Sequence, residues 1–271
     1  MRKLRVIIYG RGKLGSTLIE RAQDAGVLAE LRCGRSEDEA PEDAGLLVLA
    51  IPDGAVAERM RALDALYERS IPFVHVAGTL PSRHALPSGR PTGGMHPLIS
   101  FASHENLPRL RGRTFTLRGD PEAIERARAF VEQLGGQPLV RELSGPRYHA
   151  AAAILANGSV ALAARAAALL DSLGIEESER NLALAGLVES VSDNLRVLGP
   201  IRALTGPIVR GDTQTIEAHL EALDGQMRAD YVAIARLILG TARDAGLSAE
   251  AHRELLHSLE KATAGERSQT D

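Results

Sequence analysis

A single cysteine, Cys33, stands among 271 residues. One thiol cannot close an internal disulfide, and its solitude fits a reducing, cytoplasmic setting. Lysine is almost missing too: of 32 basic residues only Lys3, Lys13 and Lys261 are lysines, the rest arginines. That skew reads as a base-composition bias, which weakens any inference from the mere presence of an arginine. No stretch approaches the roughly 18 continuous apolar residues of a membrane span, so no membrane association is expected. The basic lead at the N-terminus runs into a very short apolar segment, too short for a signal-peptide core. A formal net charge of −3 carries no polyelectrolyte signature, and nucleic acid is not an expected partner. No His, Cys and carboxylate cluster has metal-ligand spacing, so no metal is expected. No G-x-S-x-G nucleophile turn, internal repeat or low-complexity tract is present either.

What is present begins at Arg5. The apolar run Val6, Ile7, Ile8, Tyr9 leads directly into Gly10-Arg11-Gly12-Lys13-Leu14-Gly15, and an amphipathic segment through Leu18, Ile19 and Ala22 follows. Strand, G-x-G-x-x-G turn and helix, in that order, are what a dinucleotide site needs. Gly10 makes the tight turn, Gly12 lets backbone approach a pyrophosphate, and Gly15 lets the helix pack close to the strand. The helix N-terminus offers free N–H groups and a positive dipole end to the phosphates.

From residue 1 to about 143 short apolar runs alternate with amphipathic segments, the signature of β-α units on a mostly parallel, doubly wound sheet. Strands are predicted at Val6–Tyr9, Leu28–Cys33, Leu46–Ile51, Phe73–Ala77, Thr92–His96, Phe115–Leu117 and Pro138–Leu143. Leu46–Ile51 is apolar throughout, as a strand covered on both faces requires. It ends at Pro52-Asp53-Gly54, with Asp53 placed to cap the next helix. Pro121–Leu134 is a helix with Pro121 at its first position after Asp120. After Ser144-Gly145-Pro146 the texture changes and no strand pattern recurs. Helices are predicted at 147–173, 176–198, 213–223, 226–245 and 248–262. The break near 145 divides an α/β domain, 1–145, from an all-α domain, 146–271. Tyr148 to Leu170 is alanine-rich with Arg165 its only charge, which predicts a central, buried helix.

An Asp or Glu about 20 residues after the glycines normally accepts from the ribose 2′-OH of NAD and repels a 2′-phosphate. At that spacing stand Arg35 and Ser36, a cation and a hydroxyl donor able to hold a 2′-phosphate, with Arg11 or Lys13 in support. The expected cofactor is therefore NADP(H). Its expected contacts are Gly10, Arg11, Gly12, Lys13, Leu14 and Gly15 in the turn, and Arg35 and Ser36 after the second strand. The strand ends Ile51-Pro52-Asp53 and Ala77-Gly78-Thr79 complete the set.

Four strings in order resemble one family: HVAGT at 75–79, GMHPLISF at 94–101, RYHAAAAILAN at 147–157 and LTGPIVRGD at 204–212. They are similar to bacterial Rossmann-like proteins with a C-terminal domain of unknown function, number 2520. That family is a branch of the 6-phosphogluconate-dehydrogenase-like group, related to ketopantoate and pyrroline-5-carboxylate reductases. The resemblance implies an N-terminal NADP-binding Rossmann domain, a helical C-terminal domain that often dimerises, and a substrate cleft between them. It does not imply a substrate. Two positions depart from the family pattern: Ile99 stands where Gln is common and Ala77 where Ser is frequent.

Hydride transfer to a carbonyl or imine needs a proton donor and a group to hold the substrate's anionic end. Related reductases often place a Lys on the first long helix of the second domain; here that helix has none. It offers His149 and Asn157, which at 3.6 residues per turn project roughly 80° apart. These are the catalytic candidates, set against a packing or capping role. His96, before Pro97, Arg210 in the TGPIVRGD segment and Asn194 are the substrate-binding candidates. Asp212 is expected to be the structural N-cap of the helix from Thr213, and His75 a core histidine. His84, His104, His219, His252 and His257 read as solvated. The leading expectation is an NADP(H)-dependent oxidoreductase reducing a small 2-oxo acid or imine, ketopantoate-like substrates included, in an interdomain cleft. The alternatives are a non-catalytic NADP(H)-binding sensor or scaffold, and a prephenate or arogenate dehydrogenase-like enzyme. The alanine-rich helix carries more apolar surface than one helical domain can cover, so a homodimer through that domain is expected.

Overall fold

The computed structural model describes residues 4–36, 41–67 and 70–267. The chain divides into two compact units, one up to Ser159 and the other from Val160, so the division falls inside a helix.

The first unit is built on β1 (Arg5–Tyr9), α1 (Lys13–Asp24), β2 (Leu28–Arg32), β3 (Ala44–Leu49), α2 (Asp53–Leu66), β4 (Phe73–His75), β5 (Thr92–Pro97), β6 (Thr114–Gly119), α3 (Pro121–Gln133) and β7 (Gln137–Val140). The strands form one sheet in the order β2-β1-β3-β4-β5-β6-β7, and only the β5–β6 pairing is antiparallel. The period of two along each strand sorts side chains to two faces. Val6, Ile8, Leu46, Val48, Val74, Met95, Phe115 and Leu117 lie on one face with Leu18 and Ala22 of α1 and Ala123, Ala127 and Phe130 of α3. Ile7, Tyr9, Leu47, Leu49 and Phe73 lie on the other with Val56, Met60 and Leu63 of α2. Beyond Phe73 that second face turns polar. His75, Gly94 and Arg118 are in register across β4, β5 and β6, and His96 is in register with Thr116.

The long connection from β4 to β5 crosses this polar stretch and is pinned at several points. Arg118 Nη2 donates to the Ala77 carbonyl at 2.6 Å, and His75 Nε2 lies 3.0 Å from the Pro81 carbonyl. Arg90, at the end of the connection, is fully buried and donates through Nε to Asp64 Oδ1 at 2.7 Å.

The remaining helices are α4 (Pro146–Ser172), α5 (Glu177–Arg202), α6 (Pro207–Arg210), α7 (Thr213–Ala222), α8 (Gly225–Asp244) and α9 (Ala249–Arg267). In the second unit Ile216 and Leu220 of α7, Val232, Ala235 and Leu239 of α8, and Leu255 and Leu259 of α9 make the core, joined by Ile208. Asp212 caps α7, accepting from the Thr215 backbone N–H at 3.1 Å and its hydroxyl at 2.7 Å.

Two expectations are corrected. Asp53 is not the cap of α2: Pro52 holds that position, and the Asp53 carboxylate accepts from the Thr79 hydroxyl at 2.6 Å instead. The helix expected at 176–198 does stop there: Gly199, with φ +73°, breaks α5, and only a short turn from Pro200 continues it. The alanine-rich helix α4 is not buried: none of its residues is, and Ile154, Val160 and Leu155 are 75%, 67% and 65% exposed. Its composition called for a covering layer that the single chain does not supply. By length and composition alone it is the one helix among the described residues that meets the measure of a membrane span.

Candidate dinucleotide turn and adjoining cavity

Gly10 leaves β1 with φ +117°, and a Cβ added there would lie 2.0 Å from the Ala50 carbonyl oxygen. A Cβ on Gly15 would lie 1.8 Å from the Gly10 carbonyl oxygen. Neither position accepts a side chain, because the turn is wedged between the end of β3 and the start of α1. Gly12 is different: nothing lies within 4 Å of where its Cβ would be. The backbone is therefore open to an incoming group at the one glycine that has to approach a pyrophosphate. Gly12 also begins α1, with no side-chain cap and no acidic residue in the first turn, so the positive helix end is unopposed. The turn sits on β1, between β2 and β3, where the strand order reverses and open α/β sheets bind ligands.

Arg35 and Ser36 follow β2 beside this turn, with Arg35 exposed. The structure adds a residue that spacing does not reveal. Arg59 reaches across from α2: its Nη2 donates to the Ser36 carbonyl, its guanidinium lies over the Tyr9 ring at 5.3 Å, and its Nε is buried without a partner. Beneath it the Tyr9 and Tyr67 hydroxyls are hydrogen bonded to each other, and the buried Arg32 reaches both while pairing with Glu30 at 2.7 Å. Burial disfavours the Arg32 cation, but its bonds to Glu30 and Tyr9 outweigh this and hold its pKa above the ordinary range.

At the polar end of the sheet, Gly78 lies flat on His96; a Cβ there would be 2.9 Å from His96 Nε2. The other His96 nitrogen, Nδ1, is 2.8 Å from the Tyr148 hydroxyl. That hydroxyl is also 2.9 Å from Thr116 Oγ1, which in turn donates to the His96 carbonyl at 3.3 Å. The start of α4 is tied to the same place by the Gly145 N–H, which donates to the Gly78 carbonyl at 3.2 Å. Burial, then the Arg118 charge and that of His149, push His96 down to about 4, so it is neutral at physiological pH. Arg118 itself is 1% exposed, and its Nε and Nη1 have no partner. It forms no ion pair among the described residues; desolvation lowers its pKa, partly opposed by attraction to Tyr148 and Glu142.

A cavity of about 720 Å³ opens beside this cluster, lined by 96–101 and by Tyr148, His149 and Asn157 among the residues of α4. Every lining residue belongs to the first unit. His149 and Asn157, expected from their helical spacing to face one cleft, line one cavity with His96, which the sequence did not connect to them. Arg210 and Asn194 are not among its lining: Arg210 ends α6 and Asn194 lies on α5, both in the second unit. Asn194 is exposed, on a helix without a buried residue. His84 is not solvated either: it is half-buried, edge-on to His75 at 5.3 Å, with Nε2 unpartnered. Sequence reasoning missed Tyr148, Thr116, Arg118 and Arg59. Tyr148 adjoins His149 in a motif already singled out, but nothing in the sequence reports its hydroxyl's partners. No group of His, Cys, Asp and Glu able to hold a metal occurs among the described residues.

Residues 113–238 match the family model Domain of unknown function (DUF2520). The chain carries a DUF2520 region. It takes in Tyr148, His149 and Asn157 but not the glycine turn, and it crosses the division between the two units. No curated protein matches the sequence. Among solved structures, BF3122 from Bacteroides fragilis, designated an NADP oxidoreductase, is 20% identical with a TM-score of 0.64, over 90% of this chain and 98% of its own. Protein TM1727 from Thermotoga maritima is 24% identical with a TM-score of 0.64, over 88% and 99%. Pyrroline carboxylate reductase from Plasmodium falciparum, with NADP bound, is 11% identical with a TM-score of 0.53, over 97% and 98%. At these identities the likeness is one of fold. The DUF2520 region thus continues a Rossmann-type sheet into a helical second half.

Proposed function

We propose that the protein is an NADP(H)-dependent oxidoreductase that reduces a small 2-oxo acid or imine in the cavity between β5 and α4. The observation that carries this reading is the glycine turn: closed to side chains at Gly10 and Gly15, open at Gly12, and set on an uncapped helix N-terminus. Such a turn cradles a dinucleotide pyrophosphate. Arg35, the Ser36 hydroxyl and Arg59 would hold the 2′-phosphate, with charge-assisted hydrogen bonds from the two guanidinium groups. NADPH, when bound, would supply hydride. The cavity suits a small ligand in size, and it combines an apolar wall with a few convergent polar groups, as substrate sites do. The names of BF3122 and the Plasmodium reductase are consistent with this reading.

Binding tests it directly. NADPH is expected to bind more tightly than NADH. Arg35→Ala and Arg59→Ala are each expected to weaken NADPH by roughly 10-fold or more, the worth of a charge-assisted bond, while leaving NADH nearly unchanged. Equal affinity for the two cofactors, unaltered by either substitution, would remove the 2′-phosphate assignment. Tight NADPH binding without oxidation in the presence of any of a panel of 2-oxo acids and cyclic imines would favour a cofactor-binding sensor instead.

We also infer that the exposed apolar surface of α4 and α5 is covered by a second copy of the chain. Ile154, Leu155, Val160, Leu182, Leu187 and Val197 stand exposed on two long helices that bury nothing, beyond what monomers ordinarily present to water. A bilayer is the less suitable cover. Arg165, about two turns from the C-terminal end of α4, lies 3.2 Å from Asp230 of α8, an ion pair unsuited to a helix surrounded by lipid.

A further inference from the structure

We propose that the Tyr148 hydroxyl is the proton donor of this reduction, held in place by His96 and Thr116. The inference rests on the reductase reading above. The Tyr148 oxygen is the one hydroxyl on the cavity wall bonded at once to an imidazole nitrogen, at 2.8 Å, and to a threonine hydroxyl, at 2.9 Å. Thr116 donates to the His96 carbonyl, so its lone pairs are free to accept from Tyr148. With His96 Nδ1 protonated, the imidazole donates to the same phenol oxygen. The phenol has a single proton, which rests on Thr116 until a substrate oxygen or nitrogen takes that acceptor's place; the bond from His96 keeps a donor on the phenol oxygen after the proton has left. The guanidinium of Arg118, buried without a carboxylate partner among the described residues, adds positive potential where that negative charge develops.

The other candidates fit the role less well. An amide such as Asn157 orients a substrate but has no proton to give. His96 is shielded: Gly78 lies against its Nε2 and Tyr148 occupies its Nδ1. His149 is exposed at the first turn of α4, in contact with bulk water. In the step itself, hydride arrives on the carbonyl or imine carbon and the C=O or C=N π pair moves to oxygen or nitrogen. Tyr148 gives its proton to that atom. The phenolate left behind recovers a proton from solvent, which reaches the half-exposed Tyr148.

The test compares the full-length wild type with Tyr148→Phe and His149→Ala. Its readouts are NADPH affinity, kcat and KM on the panel of 2-oxo acids and cyclic imines, and the ring-nitrogen NMR signals of His96 without cofactor. Tyr148→Phe is expected to lower kcat by about 100-fold or more, in the range for general-acid catalysis, with KM and NADPH affinity within about threefold. It is also expected to remove the hydrogen-bond shift at His96 Nδ1, whereas His149→Ala should leave that signal in place. Turnover by Tyr148→Phe within about fivefold of wild type would overturn the donor assignment and leave the reductase reading intact. So would loss of turnover in His149→Ala alone. A wild type that does not bind NADPH, or binds it and turns over no panel member, would overturn the reductase reading and the donor with it.

Discussion

His75 is wholly buried in β4, with its Nε2 at the Pro81 carbonyl and its Nδ1 without a partner. Burial is the largest influence on it and pushes its pKa down to about 4; Arg118 and His84 add to the effect, while the Pro81 bond and Asp53 oppose it. The unfolded chain, with an ordinary histidine, binds a proton below about pH 6.5, and the folded chain does so only near 4. Between those values the unfolded state takes up more protons, so stability falls as pH drops through that window and is fully regained above it. His75 alone accounts for about 3 kcal/mol at the acid end. Urea unfolding at a series of pH values is expected to show this slope, and a conservative His75→Gln is expected to reduce it by about half, the rest coming from His96, which is depressed to the same extent. Little of this was legible in the sequence. His75 reads there as a core histidine, but its acid sensitivity comes first from how deeply the fold buries it and then from Arg118, 43 positions away, which reaches the same face only because β4, β5 and β6 lie in register. Tyr148, Thr116 and Arg59 were missed for the same reason: each is defined by partners distant in sequence.

Elements were far more legible than contacts. Hydrophobic period, Gly and Pro placement and the Asp212 cap marked nearly every strand and helix, because those signals are local. What the pattern could not show is how the β4–β5 connection is held. Arg90 at its end is fully buried against Asp64, and it also donates to the carbonyls of Tyr67, at 2.6 Å, and Ile71, at 3.2 Å. Burial by itself would raise the Asp64 carboxyl, but hydrogen bonds from Ser88 and Arg90 outweigh it and lower its pKa. Removing one partner of such a pair leaves a buried charge uncompensated. Arg90→Leu is expected to cost about 3–5 kcal/mol in chemical denaturation, and Arg90→Leu with Asp64→Leu to recover part of that loss. If the double variant were no more stable than the single, Arg90 would act through the Tyr67 and Ile71 carbonyls rather than through Asp64. The break at Gly199-Pro200 was legible, because a glycine followed by proline is a local stop signal, but the exposure of Asn194 was out of reach of periodicity, since it depends on what neighbours the helix.

For the whole molecule, the uncovered faces of α4 and α5 set the expectation. Light scattering at micromolar concentration is expected to give twice the chain mass, and charged substitutions at Ile154 and Leu155 to shift it toward the monomer. A monomeric wild type would rule out the second copy as the cover. Sedimentation of the wild type with neutral lipid vesicles would instead assign the cover to a bilayer.

The sequence by itself determined the α/β-then-α order of elements and the glycine turn, because strand alternation, helix period and turn chemistry are written in neighbouring residues. It also paired His149 with Asn157 through their helical spacing, and singled out His96 without relating it to them. Only the tertiary structure decided that these three line one cavity, that Tyr148 holds the hydrogen-bonded hydroxyl beside them, and that Arg118 lies buried behind it. Strand register and the seating of α4 bring these groups together, and both depend on pairings between segments far apart in the chain.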